Sequence, residues 1–489
     1  MLRSLTGIDN GVINTRKVFF ILLSLELVLL GIFLFTNYEE VALYAGILFA
    51  PVLIFLDPIF GLALMVITTS LDFMGAAESG VEGFRYLNFT LFHLAFLLTL
   101  VSTICSILMH QKIRIPSASI WFPLLAFLLL YTISLIRTPD IKEASLYVVR
   151  AMFLSMTIFI VIISIDRIWK LSLFVGMLII VPLVVASITI SQFFSEGSLF
   201  APIVIKMANA LGLPVFRATG TFTNPNALAC FLMAGAALGF SLLFAKEIPS
   251  FLRLILLAAV ITTVVGLLLS FSRGGWVSTF CAVIFVVVLQ KKWSYFGYFA
   301  IFVIICLIII SIKTPQMYAV VFERLGSIFD PSQDASSTAR IALLKSSVAM
   351  WFDHPIFGVG LRGFPVEFAN YIDPNMPHIL KELKEAHTIQ FEILAEMGIV
   401  GLTIASWLFF TVLFHGIRTM KTIKNHTLRC LQIGSVALFI GYVINFTFAT
   451  DLFNNVFWMT MGMIYTLPLI DNKYFSEQSL KELPQPTPG

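Results

Sequence analysis

The sequence predicts an all-α fold, a polytopic membrane bundle of about 12–14 transmembrane helices with one long, partly helical extracytoplasmic loop. Of the 489 residues, 59% are hydrophobic and only 12% are charged, and the mean hydropathy is +0.96. A soluble chain has about a quarter of its residues charged, so this chain carries too little charge to cover soluble domains. The composition excludes a soluble enzyme, a disordered chain and a β-barrel.

Fourteen apolar runs follow one another along the chain, and several are shorter than a full membrane span. They cover residues 18–35, 41–56, 58–71, 90–109, 119–136, 148–165, 171–191, 226–245, 254–272, 275–290, 294–312, 393–415, 430–449 and 452–470. The second and third runs flank Asp57-Pro58 and could form one broken or re-entrant element. The first run is long and lacks a small-residue cleavage site, which predicts a retained span rather than a signal peptide.

Lysine and arginine residues in the loops predict a cytoplasmic N-terminus, because cytoplasmic loops carry an excess of them. With this orientation, seventeen lie in inner segments and six in short outer segments. The inner residues are Arg3, Arg16, Lys17, Lys112, Arg114, Arg167, Lys170, Lys246, Arg253, Lys291, Lys292, Arg418, Lys421, Lys424, Arg429, Lys473 and Lys481. The outer residues are Arg85, Arg137, Lys142, Lys206, Arg217 and Arg273. The expected location is a bacterial cell (inner) membrane.

One outer connection is much longer than the others and divides the chain into four parts. We expect an N-terminal bundle over residues 1–312, the extracytoplasmic loop over 313–390, C-terminal helices over 391–472 and a cytoplasmic tail over 473–489. Loops of this length are usually functional or disordered. Apolar residues at helical spacing predict that this loop is folded. They are Ile341, Leu344, Val348 and Trp351, after an N-cap at Ser336-Ser337-Thr338 and before a stop at Asp353-His354-Pro355. A second helix is predicted from near Pro377 into the next span.

Two arginines stand where bulk composition gives no reason for a cation. Arg273 lies between two apolar runs, and the two glycines after it would let a ligand approach the backbone. Arg340 lies in the first turn of the predicted loop helix, where free N–H groups and a guanidinium together favour an anion. The alternatives are an Arg273 that reaches to the membrane interface from a tight turn, and a solvated Arg340.

Other polar residues near the membrane also suggest chemistry. His387 precedes the return of the loop into the membrane and could act as a general base, although a lone histidine is more often structural. Glu396 lies inside an apolar span and needs a partner, which Arg273 or Arg340 could supply. Asn226 precedes a span, where it could cap the helix or present its amide to a ligand.

Two further patterns are weak signals. Residues 358–363 match the dinucleotide-binding pattern GxGxxG, but no strand precedes them, so a glycine-rich turn between loop helices is the better interpretation. His354, Asp373, His378 and His387 fit no metal-ligand spacing. The five cysteines form no CxxC pair, so neither a disulfide framework nor a zinc site is indicated. The net charge of +4 requires no nucleic-acid partner.

Together these residues resemble the O-antigen ligase and polymerase superfamily of bacterial membrane glycosyltransferases. The resemblance covers most of the chain, most clearly residues 215–410, and each motif is short. The motifs are Gly220-Thr221-Phe222-Thr223-Asn224-Pro225-Asn226, Ser272-Arg273-Gly274-Gly275, Ser337-Thr338-Ala339-Arg340, Pro355-Ile356-Phe357-Gly358-Val359-Gly360, and His387 followed by Glu396-Met397-Gly398-Ile399-Val400-Gly401.

The resemblance implies transfer, outside the membrane, of a glycan carried on undecaprenyl diphosphate to an acceptor hydroxyl. It implies an inverting, metal-independent enzyme with no cofactor, in which Arg273 and Arg340 hold the donor diphosphate and His387 orients or deprotonates the acceptor. Asn226, Gly358, Gly360 and Glu396 are the further substrate-binding candidates. The expected partners are the donor, a glycan or lipid-linked acceptor, and membrane lipids.

The acceptor cannot be read from the motifs. We favour a polymerase of a cell-surface polysaccharide such as a teichuronic acid, a capsule or an O-antigen. A ligase with a different acceptor, a lipid-linked oligosaccharide flippase or transporter, and a non-catalytic scaffold are the alternatives. The family often has an asparagine after the histidine, where this chain has Thr388, so the role of that neighbour is open.

Overall fold

The structure is a computed structural model and describes most of the bundle and part of the long loop. The described residues are 50–71, 91–110, 119–195, 206–210, 213–313, 326, 335–372, 388–448, 452 and 454–481. The predicted first span, His387 and the start of the second predicted loop helix lie outside these residues. The expected all-α membrane bundle is confirmed by the described part of the chain, which contains one short hairpin besides its helices.

The helices before the long loop begin with residues 50–56, which are also helical. They are α1 (Pro58–Thr69), α2 (Leu91–His110), α3 (Trp121–Ser134), α4 (Ile141–Ser164), α5 (Ile168–Phe194), α6 (Pro225–Leu242), α7 (Ser250–Leu269), α8 (Arg273–Gln290) and α9 (Trp293–Lys313). Between α5 and α6, β1 (Lys206–Ala210) pairs antiparallel with β2 (Leu213–Arg217).

The loop and the C-terminal part add five helices to the described chain. They are α10 (Ala335–Asp353), α11 (Phe364–Tyr371), α12 (Ile389–Thr419), α13 (His426–Asn445) and α14 (Asn455–Lys481). Among the described residues, eight helices are long and apolar enough to cross a membrane: α2, α4, α5, α6, α7, α8, α12 and α13. Shorter apolar helices are α1, α3 and residues Trp293–Ile309 of α9. The protein is therefore a multi-pass membrane protein.

The centre of the bundle is formed by α6 and α13. Helix α6 is buried along almost its whole length, and it packs on α5, α7, α8 and α13. Small residues allow this close packing, since a Cβ atom at Gly235 would lie 2.7 Å from Pro182 of α5 and one at Gly239 would lie 2.7 Å from Val260 of α7. Close approach through small residues is typical of packed membrane helices.

One end of the bundle carries a network of ion pairs and is called the basic face here. The Nζ atom of Lys170 lies 2.6 Å from Asp57 and 3.1 Å from Asp166, and the Nζ atom of Lys473 donates to the Asp166 carbonyl over 3.2 Å. Burial alone would raise the pKa of the Asp166 carboxyl, but Lys170, Lys473 and Arg167 together lower it. The helix breaks at Asp57-Pro58, where a broken or re-entrant element was expected: Asp57 caps α1 by accepting from the Ile59 N–H over 3.1 Å.

The opposite end of the bundle is called the loop face. It holds the α3–α4 connection, the hairpin, the α7–α8 turn and the helices α10 and α11. The hydroxyl of Thr138 donates to the Leu361 carbonyl over 2.6 Å, and the Arg217 Nε atom donates to the Ser270 carbonyl over 3.1 Å. The faces separate the connections as the lysine and arginine count predicts, while the orientation in a membrane stays a prediction.

The long loop differs from its prediction in three respects. Helix α10 begins at Ala335, before the predicted N-cap, and ends at Asp353 as expected. Its buried residues are Ala342, Leu343, Ser346, Ser347 and Met350, whereas Ile341 is exposed. Small serines can be buried because their hydroxyls bond to backbone, Ser346 to the Tyr371 carbonyl over 3.1 Å. Helix α11 was not predicted.

The ion-pair network predicts that Lys170→Ala lowers the free energy of unfolding by about 2–3 kcal/mol, because it removes the ammonium that pairs with two partly buried carboxylates, Asp57 and Asp166. Thermal unfolding of the detergent-solubilised protein measures the loss. Arg167→Ala is the matched control, since the Arg167 side chain is 68% exposed and lies 3.9 Å from Asp166. We expect the control to change stability by less than about 1 kcal/mol. Equal losses in both variants would contradict this account of the basic face.

Candidate functional site

The turn between α7 and α8 places Arg273 at the loop face. Ser270, Phe271 and Ser272 form the turn and are almost completely buried, and Arg273, the first residue of α8, is 9% exposed. The Ser272 hydroxyl caps α8 by accepting from the Gly275 N–H over 3.3 Å. A guanidinium that merely reaches outward from a turn would be exposed, so this alternative for Arg273 does not fit the structure.

Asn226 lies directly beside this turn. Its Oδ1 atom accepts from the Ser272 hydroxyl over 2.9 Å. The predicted capping role belongs instead to Asn224, whose Oδ1 atom accepts from the Asn226 N–H over 2.9 Å, and Pro225 is the first helical residue. Proline at the first helical position indicates that the cap is the residue before it, a signal that the sequence interpretation missed. The structure thus brings together residues 220–226 and residues 272–275, two of the motifs on which the family resemblance rests.

Arg217 is a third member of this group that sequence reasoning did not single out. It ends β2, and its guanidinium donates to the Ser270 and Phe271 carbonyls over 3.1 and 3.3 Å. Its Nη2 atom also lies 3.5 Å from the Asn226 Oδ1 atom. We call Arg217, Asn226 and residues 270–273 the arginine turn. A local pattern could not reveal this role of Arg217, since the two carbonyl groups that it binds lie more than 50 positions further along the chain.

The second group of candidates is built around an interruption of α12. Gly398 has φ 64° and ψ −163°, which interrupts the helix. The Ala395 and Glu396 carbonyls accept from the Val359 and Gly360 N–H groups over 3.0 and 2.9 Å. In return, the N–H groups of residues 399 and 400 donate to the carbonyls of residues 355 and 356 over 2.9 and 3.3 Å. Residues 355–363, called the glycine turn here, therefore satisfy the backbone groups that the interruption leaves without helical partners.

The glycines of this turn are required by packing. A Cβ atom at Gly358 would collide with the Glu396 backbone, and one at Gly360 would lie 2.6 Å from the Arg137 carbonyl carbon. Both residues also have positive φ angles, 66° and 100°. The expected glycine-rich turn between loop helices is confirmed, and for substrate binding Gly358 and Gly360 remain candidates whose backbones already contact protein.

Glu396 and Arg362 hold the glycine turn against the bundle. The Glu396 side chain is 3% exposed and accepts from the Phe364 N–H over 3.2 Å at the start of α11, and it also interacts electrostatically with Arg362. The Arg362 Nη2 atom lies 2.6 Å from Glu143, and its guanidinium lies 4.5 Å from the Tyr147 ring centroid. Burial lowers the pKa of Arg362, but Tyr147 and Glu143 outweigh this effect and raise it. Sequence analysis considered Arg273 and Arg340 as partners of Glu396 and did not identify Arg362.

Arg340 lies on α10, which packs on α12. Because α10 begins at Ala335, Arg340 is the sixth helical residue and lies beyond the first turn in which it was predicted. The attraction of a helix N-terminus for anions falls off within that turn, so Arg340 would act through its own charge. One turn further along α10, Leu343 packs with Ala395 of α12 in a small apolar cluster.

His387 lies outside the described residues, but the chain that follows it is anchored. Two residues later, the Ile389 N–H donates to the Phe446 carbonyl over 3.0 Å at the end of α13. The same segment reaches the arginine turn, since a Cβ atom at Gly274 would lie 2.7 Å from the Phe448 Cβ atom. Residues 446–448 thus contact both the start of α12 and the start of α8. Of the four histidine and aspartate residues considered for a metal, only His354 lies among the described residues.

The fold and these two groups define a polytopic helical membrane protein with a buried arginine and two packed turns at one end of the bundle. Within this class, residues 258–406 match the family model described as O-antigen ligase. The match includes Arg273, Arg340, His387 and Glu396 and covers less than a third of the chain. It supports the O-antigen ligase and polymerase superfamily, whose members are membrane glycosyltransferase-like proteins acting on lipid-linked glycan donors and acceptors. No curated protein matches the chain significantly.

The glycine turn predicts a specific intolerance at the α12 interruption. Gly398→Ala should lower the free energy of unfolding by about 2 kcal/mol or more, because alanine is strained at this φ and its Cβ would collide with the Ile356 carbonyl. Thermal unfolding in detergent measures the effect. Gly176→Ala is the control, since Gly176 lies in the interior of α5 and a Cβ atom there would have no neighbouring atom within 4 Å. It should be neutral or stabilising by up to about 1 kcal/mol. A neutral Gly398→Ala would contradict the described interruption.

Proposed function

We propose that the protein transfers a glycan from undecaprenyl diphosphate to an acceptor hydroxyl at the loop face, and that this reaction polymerises a cell-surface polysaccharide of the teichuronic acid, capsule or O-antigen type. The observation that carries the proposal is the buried Arg273 of the arginine turn, which lies inside the segment matched by the O-antigen ligase family. In this proposal the loop face is extracytoplasmic and the N-terminus is cytoplasmic.

The charge of the arginine turn supports the binding of an anion. A helix N-terminus carries partial positive charge and attracts anions. Arg273 and the start of α8 together therefore attract a negatively charged group. A diphosphate fits this requirement, and arginine binds phosphate oxygens in a bidentate manner. Asn226 adds a polar side chain beside the same turn.

The transfer needs only one displacement. The acceptor oxygen forms a bond to the anomeric carbon, and the bond between that carbon and the phosphate oxygen breaks. The electron pair leaves with undecaprenyl diphosphate, and the hydroxyl proton passes to His387. Arg273 and Arg340 stabilise the charge that develops on the leaving diphosphate, a role that requires no metal ion. A single displacement inverts the configuration at the anomeric carbon.

The packing of the glycine turn supports a role for Glu396 in shaping the site. Its carboxylate holds the start of α11, and its backbone joins α12 to the glycine turn. Gly358 and Gly360 let the loop approach α12 and the α3–α4 connection closely enough to cover the loop face. Their proposed part in substrate binding is therefore to position the folded loop beside the acceptor.

A transfer assay in membranes with a lipid diphosphate-linked oligosaccharide tests the proposal. We expect a ladder of polymer lengths that decreases by about 100-fold or more in Arg273→Ala, Arg340→Ala and His387→Ala, since removing a charge-stabilising group or a general base costs this much. Arg137→Ala is the matched control, because Arg137 is an exposed arginine of the same face. The control should retain the ladder at the same protein level.

The same assay separates the alternatives. A ladder that persists in all three variants contradicts the mechanism and favours a scaffold. Single transfer to another acceptor changes polymerase to ligase, and transbilayer movement of the donor at constant chain length indicates a flippase. Loss of the ladder after treatment with a chelator contradicts the metal-independent step.

A further inference from the structure

Three oxygen atoms converge on the guanidinium of Arg217. Its Nε atom donates to the Ser270 carbonyl over 3.1 Å, and its Nη2 atom donates to the Phe271 carbonyl over 3.3 Å. The Asn226 Oδ1 atom lies 3.5 Å from the same Nη2 atom. Arg217 stands at the end of the β1–β2 hairpin, so the hairpin brings this guanidinium to the α7–α8 turn.

The turn needs such a donor because its carbonyl groups are buried. The last four carbonyl groups of a helix have no partner within the helix, and the C-terminus carries partial negative charge. Ser270 is 0% exposed and Phe271 is 1% exposed, so bulk water has little access to their carbonyl groups. A buried polar group without a partner is costly, and a charged donor satisfies it well.

The conformation of the turn is also unusual for its sequence. Phe271 has a φ angle of 49°, a region that a non-glycine residue occupies at a cost. Contacts with the surrounding residues must therefore hold Phe271 in this conformation. Arg217 provides two of them, because its guanidinium donates to the carbonyls of Ser270 and Phe271. Asn226 also accepts from the Ser272 hydroxyl, which caps the helix that begins with Arg273.

We infer that Arg217 is a positioning residue, which fixes the α7–α8 turn and through it the place of Arg273. The inference rests on the proposed function, in which Arg273 binds the donor diphosphate. Arg217 also offsets the negative charge of two carbonyl oxygens close to the proposed anion site. Without it, these oxygens would lose their donor, the turn could relax, and the diphosphate would meet a less positive surface.

Arginine is suited to this role in a way that lysine is not. The planar guanidinium presents several donors in a fixed arrangement and can bind neighbouring carbonyls at the same time. The ammonium of a lysine keeps the charge but is a single point of contact. Arg217→Lys should therefore retain an intermediate level of transfer, and Arg217→Ala should lose more.

A double-mutant cycle on the glycosyl transfer reaction tests the inference. The four proteins are the wild type, Arg217→Ala, Arg273→Lys and the double variant, with transfer normalised to the amount of folded protein. Arg217→Ala should lower kcat about tenfold or more in the wild type, as expected for loss of hydrogen bonds to a charged group. In the Arg273→Lys background the further loss should be less than about threefold, because residues that act through one another are not additive.

Rescue gives a readout that a general loss of stability would not produce. Guanidinium chloride at low millimolar concentration should restore part of the activity of Arg217→Ala by occupying the place of the missing side chain. It should not raise the activity of Arg137→Ala, in which an exposed arginine of the same face is removed. If Arg217→Ala does not accumulate, Arg217→Lys replaces it in the cycle.

The outcomes separate this inference from the proposed function. Full transfer in Arg273→Lys and Arg273→Ala overturns the proposed function and the inference with it. A strong loss in the Arg273 variants, together with an unchanged Arg217→Ala or with equal losses in both backgrounds, overturns the inference alone.

Discussion

Backbone polar groups inside an apolar bundle must find hydrogen-bond partners, and the organisation of the loop face depends on this constraint. Two irregular segments at this end satisfy the constraint in different ways. At the α7–α8 turn a side chain, Arg217, supplies donors to two buried carbonyls. At Gly398 of α12 a second piece of backbone, the glycine turn, exchanges four hydrogen bonds with the interrupted helix. Irregular backbone is thus accommodated within the bundle.

These two solutions connect motifs that are far apart in the sequence. The glycines at 358 and 360 and the segment that begins with Glu396 form one packed unit, because each supplies the partners of the other. The motif of residues 220–226 likewise contacts the motif of residues 272–275, because the Ser272 hydroxyl donates to the Asn226 side chain. Residues 446–448 contact the starts of both α8 and α12. The helix that begins with Arg273 and the helix that follows His387 are thus positioned by the same segment, residues 446–448.

The sequence predicted the features that follow from composition and local pattern. The membrane bundle follows from the excess of apolar residues, and the break at Asp57-Pro58 from the two short apolar runs that flank it. It did not predict the hairpin, since residues 206–217 lack a clear alternation, nor the contacts of Arg217 and Arg362, which join distant segments. The buried face of α10 was missed because Ser346 and Ser347 are buried on it together with Leu343 and Met350. Pairing between distant polar groups is a property of the folded chain.

The central claim is that the arginine turn binds the diphosphate of a lipid-linked donor. The most direct measurement is a cryo-EM structure of the full chain in a lipid nanodisc with undecaprenyl diphosphate bound. The account predicts phosphate oxygens within about 3.5 Å of the Arg273 guanidinium, at the loop face beside Asn226. A diphosphate bound at the basic face, or at the loop face away from Arg273, would contradict it.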